Sequence, residues 1–224
     1  MVSILDNDER DIRLTPEFVE KSDKDIETIK FLDEFARKTK NILVLSSGYA
    51  TEALCGGKVT RAHGDIDAHI ILTGKTDVEQ LFSGVNEIIS KEDTKWKLRD
   101  RTKDKFEFIE DDDSKDFFAK RRLEVRLNSP HENNTQYPKK NLINSEGEKV
   151  LVSVVDLDEM VLQKIHKFYI LKDGVDVSKD RHSSKSDFFD LKRLLALTNL
   201  DREGLRNRVP EEYNYAVSLM ENNQ

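Results

Sequence analysis

Asp65 and Asp67 stand two residues apart in "HGDIDAHIIL", at the start of an apolar run. In an extended strand, side chains at i and i+2 point the same way, with Cα atoms roughly 7 Å apart. The two carboxylates therefore converge on one side while Ile66 and Ala68 face a core. Burying acids is costly unless something offsets the lost hydration. A divalent cation is one such partner. Carboxylates at this spacing suit Mg²⁺, a hard ion that prefers oxygen ligands and keeps substrate phosphates in its shell. The competing reading of an isolated Asp-x-Asp is a solvated turn.

The residues upstream bear on that choice. "NILVLS" (41–46) is a short continuous apolar run, as expected of a buried strand, and it leads through Ser46, Ser47 and Gly48. "GYATEAL" (48–54) then reads as a short helix stopped by Gly56 and Gly57. A small-residue turn at a helix N-terminus lets backbone N–H groups approach a phosphate, and the helix dipole favours its negative charge. Gly48 leaves room there and Ser47 offers a hydroxyl donor. An ordinary strand-to-helix turn is the alternative.

Other elements must position these residues. After an acidic lead-in, residues 24–40 read as a helix, with Ile26, Ile29, Leu32, Phe35 and Ala36 at helical spacing. "DIDAHIIL" (65–72) is a second strand. "TDVEQLFSGVNEIISK" (76–91) is a helix whose Thr76 and Glu79 have capping-box spacing. From Trp96 the period changes to two, giving strands in "WKLRDR", "KFEFIE" and, after the acidic turn "DDDSKD", in "KRRLEVRLN". There Leu123, Val125 and Leu127 share one face, and Arg122, Glu124 and Arg126 the other. Residues 129–147 are polar and turn-rich, the best candidate for a linker or long loop. "KVLVSVV" (149–155) is a last strand. Two apolar stripes follow in helices, Leu157, Met160, Val161, Ile165 and Phe168, then Phe188, Leu191, Leu194 and Leu195. The expected class is α+β: a mixed α/β part over residues 1–147 and a mainly helical part over 148–224.

Composition narrows the partners. The chain has 224 residues, 36% of them charged, and a formal net charge of −7. An acidic chain is repelled by a phosphate backbone, so nucleic acid is a poor default partner, although a local basic groove around "KRRLEVR" stays open. The same field attracts a cationic small molecule. The single Cys, Cys55, excludes an intramolecular disulfide and a Cys-based zinc cluster. The N-terminal stretch does not resemble a signal peptide, and no apolar run reaches the roughly 20 residues of a membrane span. A cytoplasmic protein is expected; its oligomeric state is open.

The stretch "SSGYATEALCGGKVTRAHGDIDAHI" closely resembles the nucleotidyltransferase signature of lincosamide and aminoglycoside adenylyltransferase-like enzymes, of the DNA polymerase beta-like superfamily. The small doublet matches at Ser47-Gly48, the aromatic at Tyr49, and the rest at Thr60, Arg61, His63, Asp65, Ile66 and Asp67. What the resemblance implies is a mixed sheet flanked by helices with a helical C-terminal part, and two Mg²⁺ ions. It also implies transfer of a nucleoside monophosphate from an NTP, ATP foremost, to a hydroxyl of a small acceptor such as an aminoglycoside- or lincosamide-like compound. A third carboxylate is implied on a later strand, and Leu123-Glu124-Val125 is the matching triplet, with Glu where the family usually has Asp.

Two-metal chemistry explains that third acid: the ions sit roughly 3.5–4 Å apart and need several carboxylates between them. On the resemblance, Asp65, Asp67 and Glu124 are metal ligands and catalytic, Glu124 also taking the hydroxyl proton. Ser47, Gly48, Arg61 and Lys164 are nucleotide-binding. Alternatives stay open for several of these. Glu124 can belong to a surface charge ladder with Arg122 and Arg126, with Glu107 as a weaker substitute. Arg61 can make a surface salt bridge, and Lys164 can be a solvated helical Lys. His63 and His69 read as structural, though His69 shares the face of Asp67. "RHSSKSDFFDLKRLL" is similar to a family segment through Arg181, Lys185, Asp187 and Asp190, acids of a kind that usually brace helices. The competing functions are an inactive nucleotide-binding or antitoxin-like relative, and an enzyme that adenylylates a protein.

Overall fold

The computed structural model describes residues 15–92, 95–112, 120–128, 137–171 and 181–221. Helix α1 (Pro16–Lys38) begins where Thr15, in extended conformation, accepts a hydrogen bond from the Phe18 N–H at 3.4 Å, with Pro16 at the first helical position. It therefore starts well before residue 24: residues 16–23 of the acidic lead-in are its first two turns, and residues 1–14 lie outside the described residues. Ile26, Ile29, Leu32 and Ala36 are all buried along its inner stripe.

Strand β1 (Ile42–Leu45) runs directly into helix α2 (Ser47–Leu54), and a loop over 55–65 returns to strand β2 (Ile66–Ile71). Helix α3 (Val78–Ile89) follows, burying Leu81, Val85 and Ile89. Its cap differs from the expected one. Asp77 accepts from the Glu79 N–H at 2.9 Å, while the Thr76 hydroxyl donates instead to Asn41 Oδ1 at 3.2 Å. Strands β3 (Trp96–Arg101) and β4 (Lys105–Glu110) form the expected hairpin, and β5 (Arg122–Asn128) comes next. Residues 113–116 of the acidic turn lie outside the described residues.

Two more strands complete the sheet, β6 (Lys139–Ile143) and β7 (Lys149–Val154). The stretch 129–147 is thus not all loop: 129–136 lie outside the described residues, and 139–143 pair antiparallel with β7 at the sheet edge. The strand escapes a pattern search because Leu142 is its one buried residue. Among the described residues the sheet has seven strands in the order β3-β4-β5-β2-β1-β7-β6. It is mixed, with β2–β5 and β1–β7 parallel and the other pairs antiparallel.

One face of the sheet is apolar. Ile66, Ala68, Ile70, Leu123, Val125, Phe106 and Phe108 are buried on it, and Phe82 of α3 packs against the rings of Phe106 and Phe108 at 5.2 and 6.1 Å. The other face carries the charged alternates.

By its contacts the chain divides after Val155, because β7 belongs with the sheet through its pairing with β1 and β6. The helical unit begins at Asp156 rather than at residue 148. It comprises α4 (Leu157–Leu171), α5 (Arg181–Leu195), α6 (Arg202–Arg208) and α7 (Pro210–Glu221). Leu157, Met160, Val161, Ile165 and Phe168 of α4 are buried, as are Phe188, Leu191 and Leu194 of α5. The Tyr169 hydroxyl donates to Glu211 at 2.9 Å, linking α4 to α7. No described helix is long and apolar enough to cross a membrane.

Candidate active site

Parallel pairing of β2 with β5 sets Asp67 opposite Glu124. Antiparallel pairing of β5 with β4 sets Glu124 opposite Glu107. Neighbouring strands are about 4.8 Å apart, so three carboxylates form a row across the polar face. The cause is the period-two pattern: each acid alternates with a buried apolar residue, which fixes the face it takes. Asp65 lies just before β2, two residues ahead of Asp67 and on the same side.

This crowding shows in the charge state. Burial, then the charge of Asp65, then that of Glu124 push the Asp67 carboxyl up to about 7, against a hydrogen bond from Ser47 and the charge of Arg122. The neighbouring acids have local cations. Asp65, 42% exposed, lies 3.4 Å from the Arg122 guanidinium. Glu124 accepts from Arg126 Nε at 2.6 Å and has Lys105 at 3.9 Å. Glu107 is paired with Arg99 at 2.8 Å and Lys105 at 3.3 Å.

Among the described residues no three His, Cys, Asp or Glu side chains close on a single metal position. The donor set is nevertheless that of a hard divalent ion. It consists of oxygen ligands alone, and the Asp67 carboxyl is held above its ordinary range by burial first and then by the negative charges beside it. The residues fit Mg²⁺ in kind.

The turn before α2 supplies the other half of the site. Ser46 is the N-cap but makes no side-chain cap bond; its hydroxyl faces His69 Nε2 at 3.1 Å, and His69 Nδ1 faces Asn128 Oδ1 at 2.9 Å. Ser46 N–H donates to the Asp67 carbonyl at 3.0 Å, which seats the turn on β2. Ser47 opens α2 with φ +57°, a left-handed conformation uncommon outside Gly. Its hydroxyl is close enough to the Asp67 carboxyl to offset part of that rise.

Gly48 serves a close approach. A Cβ there would lie 2.3 Å from His63 Nδ1 and 3.1 Å from an Arg61 guanidinium nitrogen. The space that the sequence reading left for a phosphate is the space into which the 61–63 loop folds.

Arg61 is buried, 6% exposed, so it is not a surface salt bridge; it donates to the Ala62 carbonyl at 2.7 Å. His63 is buried against Glu52 of α2, with 3.0 Å between Nε2 and Oε1. Glu52 also accepts from the Thr60 N–H at 3.1 Å. Lys164 belongs to the helical unit, where its ammonium donates to Asp187 at 2.9 Å and Asp190 at 3.0 Å. Lys167 adds a second cation on Asp187. Cys55 is partly exposed just after α2.

Sequence reasoning did not find one cluster. Asp25 of α1, fully buried, accepts from Arg121 Nε at 2.7 Å, Tyr49 Oη at 2.8 Å and Lys21 Nζ at 3.1 Å. Burial pushes its carboxyl up, but Lys21 and Arg121 outweigh that and hold it below the ordinary value. Arg121 also donates to Thr28 Oγ1 at 2.6 Å and pairs with Glu92.

No protein-family model matches the sequence. No curated protein matches it. Solved structures do. The solution structure of the antibiotic-resistance factor ANT(2'')-Ia covers 90% of this chain and 98% of its own, at 15% identity and TM-score 0.47. JHP933 from Helicobacter pylori covers 92% and 79%, at 13% identity and TM-score 0.46. The terminal uridylyl transferase Cid1 covers 52% and 33%, at 8% identity and TM-score 0.36. A terminal uridylyl transferase is thus among the structural neighbours of this chain. Likenesses at this level carry no inference about its chemistry, which rests on the acid row and the turn beside it.

Proposed function

We propose that the protein is a Mg²⁺-dependent nucleotidyltransferase that moves a nucleoside monophosphate from an NTP, ATP foremost, to a hydroxyl of a small-molecule acceptor. The observation that carries this reading is the registration of Asp67 against Glu124 on parallel neighbours, with Asp65 alongside and the Asp67 carboxyl lifted to about 7. Strongly shifted carboxyls in close charge clusters gather at functional sites.

Asp65, Asp67 and Glu124 would hold Mg²⁺, and the ion supplies neutralisation of the triphosphate and of charge developing at the α-phosphate. The chain's own residues supply the rest. The amide groups that open α2 lie where an anion is favoured by the dipole. The Ser47 hydroxyl, which lowers the Asp67 carboxyl, would favour its charged form for the ion. The acceptor oxygen bonds to the α-phosphorus, the bond to the bridging oxygen breaks, and pyrophosphate leaves. The hydroxyl proton passes to Glu124, whose carboxylate leaves Arg126 to receive it. Much of the acceleration would come from alignment, as expected for a reaction with little covalent work for the protein.

A second reading draws on a specific observation: Glu124 is held by Arg126 at 2.6 Å and has Lys105 near it, so its carboxylate is already matched. Were those pairs permanent, the protein would bind nucleotide without turning it over. Incubation with labelled NTPs, Mg²⁺ and a panel of aminoglycosides, lincosamides and other hydroxylated compounds separates the two. Transfer of label with pyrophosphate release supports the enzyme. Nucleotide binding by calorimetry with no pyrophosphate supports the binding protein, and labelling of a protein in place of the small molecules moves the acceptor to a polypeptide.

A further inference from the structure

We propose that Asp25 is a positioning residue for the site: one buried carboxylate ties together the three chain segments that bear the phosphate turn, the Asp65–Asp67 pair and Glu124. The inference rests on the nucleotidyltransferase reading for its catalytic meaning and on the hydrogen-bond geometry for its structural content.

Each tie ends close to a site residue. Tyr49, two residues after Ser47, donates its hydroxyl to Asp25 Oδ2 at 2.8 Å. Lys21 donates to the same oxygen at 3.1 Å and to the His63 carbonyl at 2.7 Å, two residues before Asp65. Arg121, three residues before Glu124, donates through Nε to Oδ1 at 2.7 Å. Both oxygens of Asp25 are thus engaged, and α1 becomes the member against which α2, the 55–65 loop and the lead-in to β5 are all measured.

Apolar side chains of equal size would bury as much surface without ionic desolvation. What they would lack is direction. Hydrogen bonds fix angle as well as distance, and the site needs three separately delivered groups in one alignment. A displacement of about 1 Å in such a constellation costs roughly a hundredfold in rate. Asp25 touches no substrate in this account; it acts through Tyr49, Lys21 and Arg121.

Three full-length variants test the proposal. Asp25→Asn disturbs all ties and endangers the fold. Lys21→Met cuts the tie to His63 and leaves Arg121 on Asp25, while Tyr49→Phe removes one hydroxyl. Amide hydrogen exchange is followed by mass spectrometry, and ATP turnover by pyrophosphate release, alongside the melting temperature. Lys21→Met is expected to speed exchange at least about tenfold in residues 57–66 and to leave β6–β7 unchanged. Tyr49→Phe is expected to lower kcat about tenfold with the ATP KM within about twofold and the melting temperature held. Either variant combined with Asp25→Asn should add less than its separate effect. Wild-type exchange in Lys21→Met, unchanged kcat in Tyr49→Phe, or losses that simply follow melting temperature would each overturn the proposal. Should the wild-type protein release no pyrophosphate from any NTP, the reaction assigned above falls, and the exchange data alone decide whether Asp25 positions these segments.

Discussion

Asp25 and Asp67 are both largely buried aspartates of the sheet-bearing unit, and they titrate in opposite directions. Around Asp25 the chain supplies its own cations, Lys21 and Arg121, and a hydroxyl from Tyr49, so the carboxyl is held below its ordinary value despite burial. Around Asp67 it supplies burial and two more acids, and the carboxyl rises to about 7. A matched carboxylate is part of the scaffold. A carboxylate raised by burial and by neighbouring acids, with Arg122 only partly offsetting them, is what a bound cation would stabilise in the proposed reaction. The contrast sets a carboxylate matched by the chain against one raised by its surroundings.

The contrast can be broken at either end. The largest effect is expected from Arg121→Met, which strips the cation that bridges Asp25, Thr28 and Glu92. Unmatching a buried ion pair costs about 3–5 kcal/mol, readable as a fall in unfolding free energy in urea. Asp67→Asn should do the reverse: nucleotidyl transfer drops about 10²–10³-fold, while the melting temperature holds or rises because a like-charge contact is gone. A variant that melts early instead would place Asp67 with the scaffold.

Gly48→Ala sharpens the picture between them. Its Cβ must displace the His63 ring, so overpacking of about 1–3 kcal/mol is expected, with transfer impaired because the 61–63 loop leads into Asp65.

The smallest effect is in acid. Burial raises Asp187, but Lys164 and Lys167 outweigh it and hold its carboxyl below 3.8. A carboxyl depressed in the folded state adds stability that is complete above its unfolded pKa and is lost as pH falls through the folded one. The wild-type helical unit should therefore lose stability more steeply below about pH 4 than Asp187→Asn, a difference visible in melts between pH 5 and 2 as a change of slope.

The residues of the acid row were legible because their cause is local. Strand alternation fixes the face of Asp67 and Glu124, with Asp65 just ahead of the strand, and a small-residue turn marks the start of a helix. The Asp25 cluster was not legible. Lys21 falls in the acidic lead-in and Asp25 on the charged side of the helix read over 24–40, and nothing in a helical pattern says that a charged position will be enclosed. Their partners Tyr49, His63 and Arg121 come from segments that only the tertiary fold brings near. Strand β6 escaped for a related reason: an edge strand needs backbone pairing more than apolar side chains, and Leu142 alone gives no period. The start of α1 lies outside its apolar stripe: Thr15 and Pro16 are an ordinary start signal, but the buried apolar residues begin only at Ile26.

The sheet order has a bearing on synthesis. β2 needs β5 as its outer neighbour, and β5 leaves the ribosome only after α3 and the β3–β4 hairpin. Until then β2 is an exposed rim with unsatisfied ladder groups, a known invitation to aggregation. The strand that closes this rim also delivers Glu124, so a nascent chain escapes misassembly and receives its last acid in one docking event.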